Sequence, residues 1–509
     1  MHSAYIRILK QTCWKIALGA IAAGVLVIPG CGDKKTAEKI VVNDHTIEAA
    51  ISKDLAVNPI IDERRIDLAV EEGIVTLSGV VGNLLASSQA VRIAESFRGV
   101  SAVVNMLSVE APSRPDSEIE QDVIRAIAGD PATEAFEISV DVDSAKVRLT
   151  GTVDSWAEKT LCSKVVKSVK GVRAINNELL VNYEELRLSG EIKGEIERRF
   201  ELDPYLAHET IDVEVMGDSV VLSGTVSSAA QKTRAHWEAN VEGVNHVNTE
   251  KLAAASWDQP GLRRETEVVY RTDEEIKRAI EDALLYDPRV SLFEIDVEVE
   301  DWSVTLSGTV NTLRAKRAAE GDAKNTVGVT NVNNLITVGP AIEEEERDRL
   351  LEHYRSMALA DPVVEFSEVA ASFSDAGELV ISGSVNSYYE KYRAEDLAMT
   401  IKGVPAVKNL ITVQEKWVTE KDRNIENFTE MLISMEKEVE GGKLDVSVEE
   451  GIARLEGSVD SWYELKLAID DAFDAGAWKV KTDVSIGDVF ENKGEYDYWD
   501  RYYKISGKL

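Results

Sequence analysis

Residues 304–310 read Val-Thr-Leu-Ser-Gly-Thr-Val, and variants of this stretch occur six times along the chain. Apolar residues alternate with small polar ones, which is the pattern of a strand with one buried face. Six glycines occupy the same place in the copies, at intervals of 72 to 84 residues: Gly79, Gly151, Gly224, Gly308, Gly383 and Gly457. A repeat of this kind indicates tandem copies of one structural module, modules 1 to 6 in chain order.

The residues around each copy predict the other elements of the module. In module 4, Thr272 and Glu275 form a capping box, and apolar residues then recur at helical spacing until Pro288. Residues 293–300 alternate between apolar and acidic, which predicts a strand that forms a hairpin with the motif strand. A second helix begins after N-cap residues that follow each motif glycine by four positions: Asn83, Ser155, Ser228, Thr312, Ser387 and Ser461.

A third strand closes each module, so the predicted order is helix-strand-strand-helix-strand and the fold class is α+β. Strand-helix-strand crossovers are right-handed, which places the third strand parallel to the motif strand. Each module is therefore predicted to be a three-stranded mixed sheet with both helices on its apolar face. The opposite face is acidic in several modules, as in the segments 137–143 and 294–300, and is free to be solvated, to bind or to dock.

The repeats also predict the domain boundaries. The predicted segments are a signal peptide at 1–30, a tether at 31–45, modules at 46–110, 117–182 and 188–254, a linker at 255–271, modules at 272–339, 343–414 and 421–488, and an aromatic tail at 489–509. We expect the long linker to be a hinge that divides the modules three and three. Module 6 departs most from the motif, which is typical of the terminal cap of a repeat array.

The N-terminus predicts a lipoprotein signal peptide. Three basic residues precede an apolar run at residues 16–28, which is too short to span a bilayer as a helix. Residues 28–31, Ile-Pro-Gly-Cys, resemble a bacterial lipobox, which implies cleavage before Cys31 and lipidation of its thiol. Gly32 follows the cysteine, and this resemblance implies the outer membrane. The alternative is ordinary secretion by a leader that happens to end in cysteine.

The formal net charge of the chain is −34 at pH 7. This charge argues against nucleic acid as a partner, and against adhesion to anionic lipid headgroups by charge alone. The simplest role of the acidity is to keep a long exported chain soluble. Cleavage before Cys31 would leave Cys162 as the only thiol that is not lipidated, so no internal disulfide is predicted.

No pattern in the sequence predicts a catalytic, metal or cofactor site. The six histidines lack ligand spacing, and there is no phosphate-binding loop or nucleophile elbow. Aromatic residues follow three of the N-caps, at Trp156, Tyr388 and Trp462, and two more lie in the tail, at Tyr498 and Trp499. They are candidate ligand or membrane contacts, since such rings suit an interface. In the other modules the residue at this position is aliphatic, which favours a packing role over a ligand or membrane contact for the aromatic residues as well. The tail either packs on module 6 or offers a contact.

The whole pattern resembles the BON domain of bacterial envelope proteins. The resemblance rests on a first helix that ends in Asp-Pro, the motif V-x-L-x-G-x-V, a capped helix, a Gly-Val pair and a closing V-x-N-x-L-x-V, and it covers about residues 46–488. It implies periplasmic or outer-membrane residence, phospholipid association in some members, and roles in envelope integrity or osmotic stress. It implies no catalytic residue.

The sequence therefore predicts a non-catalytic, lipid-anchored envelope protein that faces the periplasm and associates with phospholipid. The alternative is a scaffold that binds basic or envelope protein partners. A more remote alternative is a hydrolase whose site neighbouring modules build together. Salt distinguishes the first two, because charge-driven capture of a basic protein weakens with ionic strength whereas apolar insertion does not.

Cys31→Ser tests the anchor. The lipid is attached to this thiol, so we expect the variant to lose metabolic labelling by fatty acid and to change from a membrane-bound protein into a soluble or an uncleaved one, with altered detergent partitioning. A variant that still partitions with detergent as the parent does would contradict lipidation at Cys31.

Overall fold

The computed structural model describes residues 43–497, except 59, 98, 131–132, 134–137, 184–186, 208, 255–270, 292, 365–368, 415–418, 436–443 and 488. The predicted signal peptide, Cys31, Tyr498 and Trp499 lie outside the described residues, as does nearly all of the predicted hinge. The part that is described forms twelve α-helices and twenty-two strands.

Each module contains two helices. The first helices are α1 (Asp44–Val57), α3 (Asp116–Gly129), α5 (Ser189–Leu202), α7 (Asp273–Tyr286), α9 (Arg347–Ala360) and α11 (Thr419–Met435). The second helices are α2 (Leu84–Ser96), α4 (Trp156–Lys167), α6 (Ala229–Glu238), α8 (Leu313–Lys324), α10 (Tyr388–Ala398) and α12 (Trp462–Asp474). Each second helix begins directly after its predicted N-cap residue, whose side chain accepts a hydrogen bond from a backbone N–H three residues on.

The strands follow the predicted order. The first strands are β1 (Ile66–Glu71), β4 (Ile138–Asp143), β8 (Thr210–Met216), β11 (Ile295–Glu300), β15 (Val369–Phe373) and β18 (Leu444–Glu449). The motif strands are β2 (Ile74–Val81), β5 (Lys146–Val153), β9 (Ser219–Val226), β12 (Ser303–Val310), β16 (Leu379–Val385) and β19 (Ile452–Val459). In modules 1, 3, 5 and 6 the third strands are β3 (Ala102–Val109), β10 (His246–Ala254), β17 (Val407–Val413) and β20 (Lys479–Ile486). In module 2 two short strands take this place, β6 (Ala174–Asn177) and β7 (Leu180–Val181). In module 4 the two short strands are β13 (Asn331–Asn334) and β14 (Thr337–Val338).

The motif strand is central in every sheet, antiparallel to the first strand and parallel to the third. In module 4, Val304 and Leu306 point from this strand into a core that Ile276 and Ile280 of α7 share. The predicted fold class is thus confirmed: the protein is α+β, with six tandem modules of two helices on one face of a mixed sheet.

The six motif glycines lie inside the motif strands, at the end that leads to the second helix. All six have positive φ, between 110° and 135°, a region that residues with a side chain rarely adopt. At Gly308, a Cβ atom would also lie 2.6 Å from the backbone oxygen of Glu294 on the neighbouring strand. Two independent constraints therefore require glycine at this position: the positive φ angle and the close approach of the backbone before the first strand.

An aspartate in the first turn of the first helix holds the hairpin turn in four modules. In module 4 the Asp273 carboxylate accepts hydrogen bonds from the backbone N–H groups of Asp301 and Trp302, at 3.1 and 3.0 Å. Both turn residues have positive φ, so the turn needs this support. The same bonds are made by Asp44, Asp116 and Asp422. The sequence did not predict this role, because the contact joins residues 28 or 29 positions apart.

The segment after module 6 is part of its sheet. Strands β21 (Phe490–Asn492) and β22 (Glu495–Asp497) both pair antiparallel with β20. Phe490 is 1% exposed and belongs to the core. The start of the predicted tail therefore packs on module 6, while the part beyond Asp497 lies outside the described residues.

Modules that are distant in sequence contact one another, and the described residues form one compact unit. Arg92 of module 1 forms a buried ion pair with Asp474 of module 6 at 3.2 Å. The backbone N–H of Ala229 in module 3 donates to Val100 in module 1, at 3.0 Å. Module 6 therefore contacts module 1, and it is not the terminal cap of an array in which each repeat contacts only its neighbours. The physical reason is that the helix layers pack against one another.

The glycine argument gives a stability prediction. Gly308→Ala should lower the free energy of unfolding by about 1–3 kcal/mol, because the new Cβ strains the backbone and meets the first strand. Gly321→Ala is the matched control: its Cβ would meet nothing within 4 Å on helix α8, so it should stabilise by about 0.5–1 kcal/mol. Urea unfolding followed by circular dichroism measures both. Equal midpoints for the two variants would contradict the role of the motif glycine.

Candidate functional site

Buried ion pairs inside and between the modules occupy many of the charged groups that a catalytic site would need. Arg393 of α10 is fully buried and pairs with Asp361, the Asp of its module's Asp-Pro, at 2.8 Å. It also pairs with Asp396 at 2.6 Å, and Arg314 of module 4 reaches the same Asp396 at 2.6 Å. Arg234 with Asp203 and Arg289 with Asp287 repeat the pairing to the Asp-Pro carboxylate. These groups are structural.

Sequence reasoning missed this network because it treated Asp-Pro only as a helix stop. The signal was present in the second helices, where a single arginine or lysine interrupts an otherwise apolar or small face, as at Arg92, Lys164, Arg234 and Arg393. All four are at most 5% exposed. A buried cation requires a carboxylate partner, so these positions predict a paired acid.

The best candidate for a ligand site is a cavity of about 920 Å³ where modules 1, 5 and 6 meet. It is the largest of the cavities described between the modules. Six aromatic and six charged residues contribute to its lining, among them Tyr388, Tyr389, Tyr392, Phe428, Trp478 and Lys53. Its volume falls within the range of about 300–1,000 Å³ that is usual for ligand sites.

Stacked rings form one wall of this cavity. The Tyr392 and Trp478 rings stack with centroids 3.9 Å apart and planes 18° apart, and Tyr388 stacks on Tyr392 at 6.5 Å. The Trp478 indole N–H donates to the backbone oxygen of Glu450 at 2.7 Å, which fixes its ring. Burial, with help from the Glu395 carboxylate, raises the pKa of Tyr392 above its ordinary value. Its hydroxyl therefore stays protonated and can donate a hydrogen bond.

The other two aromatic candidates that the structure describes lie elsewhere. The Trp156 indole N–H donates to the backbone oxygen of Val244 at 2.6 Å, which joins module 2 to module 3. Trp462 is 4% exposed and sits in the core beside Phe490. Of the three, Tyr388 alone lines the large cavity. Cys31, Tyr498 and Trp499 lie outside the described residues and stay predictions.

The outward faces of the sheets are strongly acidic. First-strand carboxylates are exposed in five of the six modules: Asp67, Glu71, Asp141, Asp143, Asp212, Glu214, Asp296, Glu298, Glu300, Asp445 and Glu449. They alternate along the strands with half-buried or buried apolar residues, as the pleat requires. The first helices also expose part of their surface, as at Glu274 and Arg278 of α7, so the sheet faces are one of the surfaces that the protein offers to solvent.

The described residues contain no group of three His, Cys, Asp or Glu side chains arranged to hold a metal ion. Cys162 is fully buried, and burial raises the pKa of its thiol, so it is not a nucleophile. A search of the helices in the described ranges found none with the length and apolarity that a membrane crossing needs.

These observations define a class of protein: a compact assembly of one small α+β domain, repeated six times, with acidic outer faces. The family model described as BON domain matches residues 43–111, 115–183, 189–254, 272–340, 352–415 and 424–488. These matches cover well over half of the sequence, and the chain belongs to the BON domain family.

Similarity to individual proteins is weaker. The chain is 26% identical over 152 residues to osmotically-inducible protein Y of Escherichia coli (strain K12), a match that covers 27% of this chain and 72% of that protein. Two solved chains of CdsD, a structural protein of the type III secretion system of Chlamydia trachomatis, are each 14% identical with a TM-score of 0.12. They cover 45% and 46% of this chain, and 94% and 100% of their own. A TM-score this low carries no argument.

The junction between modules 1 and 3 predicts a pH dependence. Burial raises the pKa of Glu95 from 4.5 to about 7, while a hydrogen bond from Thr233 of module 3, at 3.3 Å, partly offsets the shift. The folded protein therefore binds a proton that the unfolded chain releases above pH 4.5, and stability falls as pH rises through about 7.

Glu95→Gln removes this ionisable group and keeps its shape. We expect the variant to be more stable than the parent at pH 8, by about 1–3 kcal/mol, and nearly equal to it at pH 4.5. Urea unfolding at the two pH values measures the difference. A gain that is the same at both pH values would show that Glu95 is not the titrating group.

Proposed function

We propose that this chain is a non-catalytic protein of the cell envelope, held at the outer membrane by lipidated Cys31 and facing the periplasm. Its six modules act as one body that binds basic protein partners on acidic sheet faces and so supports envelope integrity under osmotic stress. The observation that carries this proposal is the exposure of first-strand carboxylates in five of the six modules.

The comparisons support the coarser part of this proposal. The BON domain is a non-catalytic domain type, and the similarity to an osmotically-inducible protein supports an envelope or stress-related role. They also indicate a periplasmic or envelope location. Lipid anchoring at Cys31 and the identity of the partner are our proposals.

Charge decides between a basic protein and an anionic membrane as the electrostatic partner. Removal of residues 1–30 would remove three basic residues, so that the mature charge is 54 − 91 = −37. In the first strand of module 4, Asp296, Glu298 and Glu300 stand exposed in one row. Such a row attracts a cationic surface and repels anionic headgroups, within a screening length of about 8 Å at physiological salt.

Phospholipid association is the second candidate, and the aromatic cavity favours it. Lys53 and Lys421 line this cavity together with six aromatic residues, an arrangement that suits a phosphate headgroup joined to an apolar chain. Three carboxylates line it too, at Asp54, Glu390 and Asp474. Lys53 lies 3.9 Å from the Phe428 ring centroid. Binding there would depend on apolar burial more than on net charge, and it would persist at high salt.

A charge-matched pair of variants tests the main proposal. The triple variant Asp296→Asn, Glu298→Gln, Glu300→Gln neutralises one sheet face, and Glu344→Gln, Glu345→Gln, Glu346→Gln removes the same charge from an exposed turn before α9. We expect the first to retain less basic protein from a crosslinked envelope extract, and the second to retain almost as much as the parent. Raising the ionic strength should release what the parent holds.

Two results would contradict the scaffold proposal. Equal loss in both variants would mean that only total charge matters. If the parent instead captures phospholipid, retains it at high salt and captures less of it as the Tyr388→Ala variant, the result would support the cavity as a lipid site. Flotation with anionic vesicles, using Cys31→Ser, completes the test: the scaffold proposal predicts weak binding at low and high salt.

A further inference from the structure

On the outer sheet face of module 1, the second and third strands differ from those of every other module, because the face is uncharged there and carries an apolar patch. On this face β3 presents Val104 and Met106, which are 44% and 65% exposed, and the neighbouring β2 presents Ile74, 42% exposed. On this face Thr76 of β2 pairs with Val104 of β3, and Ser78 pairs with Met106. None of the residues that β2 and β3 present on this face is charged. The neighbouring strand β1 carries Asp67 and Glu71 on this face, and Glu71 pairs directly with Ile74 at the edge of the patch.

Strand pairing shows which residues replace Val104 and Met106 in the other modules. The position of Val104 is polar everywhere else: Asn176, Asn248, Asn333, Lys408 and Lys481. The position of Met106 is charged in modules 2, 3 and 6, at Glu178, Lys251 and Asp483, and is leucine in modules 4 and 5. Module 1 alone is apolar at both positions, so the patch of Ile74, Val104 and Met106 is a property of this copy and not of the fold.

The chain enters module 1 beside this patch. Asp44, the first residue of α1, accepts a hydrogen bond from the backbone N–H of Gly73 at 3.0 Å, and Ile74 is the next residue. The Gly73 oxygen accepts from Ser101 at 2.8 Å, and Ser101 directly precedes β3. At about 3.3 Å per residue, the patch extends only about 15 Å along the sheet from this entry point.

The tether before this entry point is short. Residues 31–42 separate Cys31 from the first described residue, and twelve residues span at most about 40 Å when fully extended. A lipid on Cys31 therefore holds the entry end of module 1 close to the bilayer. Tethering raises the effective concentration of membrane around the patch to about the millimolar range, so a contact too weak to bind free vesicles can still form.

We propose that the patch of Ile74, Val104 and Met106 is the membrane-contacting face of the anchored protein, with the lipid surface as its partner. This inference rests on the proposed anchor at Cys31. It orients the body: module 1 lies against the bilayer, and the acidic faces of other modules stay free for protein partners. Apolar side chains make the contact, so it depends little on salt, and neutral lipid is preferred because Asp67 and Glu71 border the face.

The test separates this contact from natural lipidation. The mature chain from residue 32 is held by an N-terminal polyhistidine tag on phosphatidylcholine vesicles that contain nickel-chelating lipid and brominated acyl chains. An environment-sensitive dye is attached at Met106→Cys or, as matched control, at Leu335→Cys, the equivalent exposed position of module 4. Cys162 is fully buried and will not compete for the label.

We expect bromine to quench the dye at position 106 several-fold more than at position 335. Adding Val104→Asn, the residue that modules 2, 3 and 4 carry there, should bring quenching at 106 down towards the control. Equal quenching at both positions would overturn the proposal. A blue shift of the 106 dye that grows with protein concentration in the absence of vesicles would also overturn it, since a second copy would then cover the patch. Failed fatty-acid labelling of Cys31 in cells would instead count against the proposed anchor.

Discussion

The buried ion pair between Arg92 and Asp474 joins the first module to the last, and the compact body depends on interactions of this kind. Arg92 is 5% exposed and Asp474 is 7% exposed. A charge removed from water costs several kcal/mol unless a partner of opposite charge is present. Because the partner of Arg92 comes from another module, module 1 cannot bury its second helix alone. Tyr205 with Asp470 joins modules 3 and 6, and Arg314 with Asp396 joins modules 4 and 5.

The interior of each module could be predicted from sequence because it is set by local rules. Strand alternation, N-caps and the glycine with positive φ act within a short stretch and recur six times, so each copy corroborates the others. The start of the tail could not be predicted, since Phe490 and Tyr496 lie beyond the repeat and have no second copy for comparison. Its pairing with β20 depends on backbone groups, which every sequence carries.

The arrangement of the modules could not be predicted either. The second helices bury charged residues as well as core alanines, as at Arg393 and Asp396 of α10, and charged residues of this kind are expected to face solvent. The same limit applies to the candidate site. Tyr388 was identified from its place after an N-cap, but Lys53 and Trp478 complete its cavity from modules far away in the sequence.

Packing of the helix layers has a consequence for function. It leaves the outer sheet faces as the surfaces on which the six copies can differ without cost to the fold. They do differ: module 4 presents a row of carboxylates, and module 1 presents Val104 and Met106. Six copies of one core thus give a body with distinct sides, which suits a protein that must be oriented at a surface and bind a partner at once.

The central claim, that the modules form one compact body, is tested most directly by small-angle X-ray scattering of the mature Cys31→Ser chain. A compact body of about 450 residues has a radius of gyration of about 23 Å. The structure predicts a value close to this, with a bell-shaped Kratky plot. A clearly larger radius and an elongated distance distribution would show that the modules are arranged as an extended chain, and would contradict the packing on which the account rests.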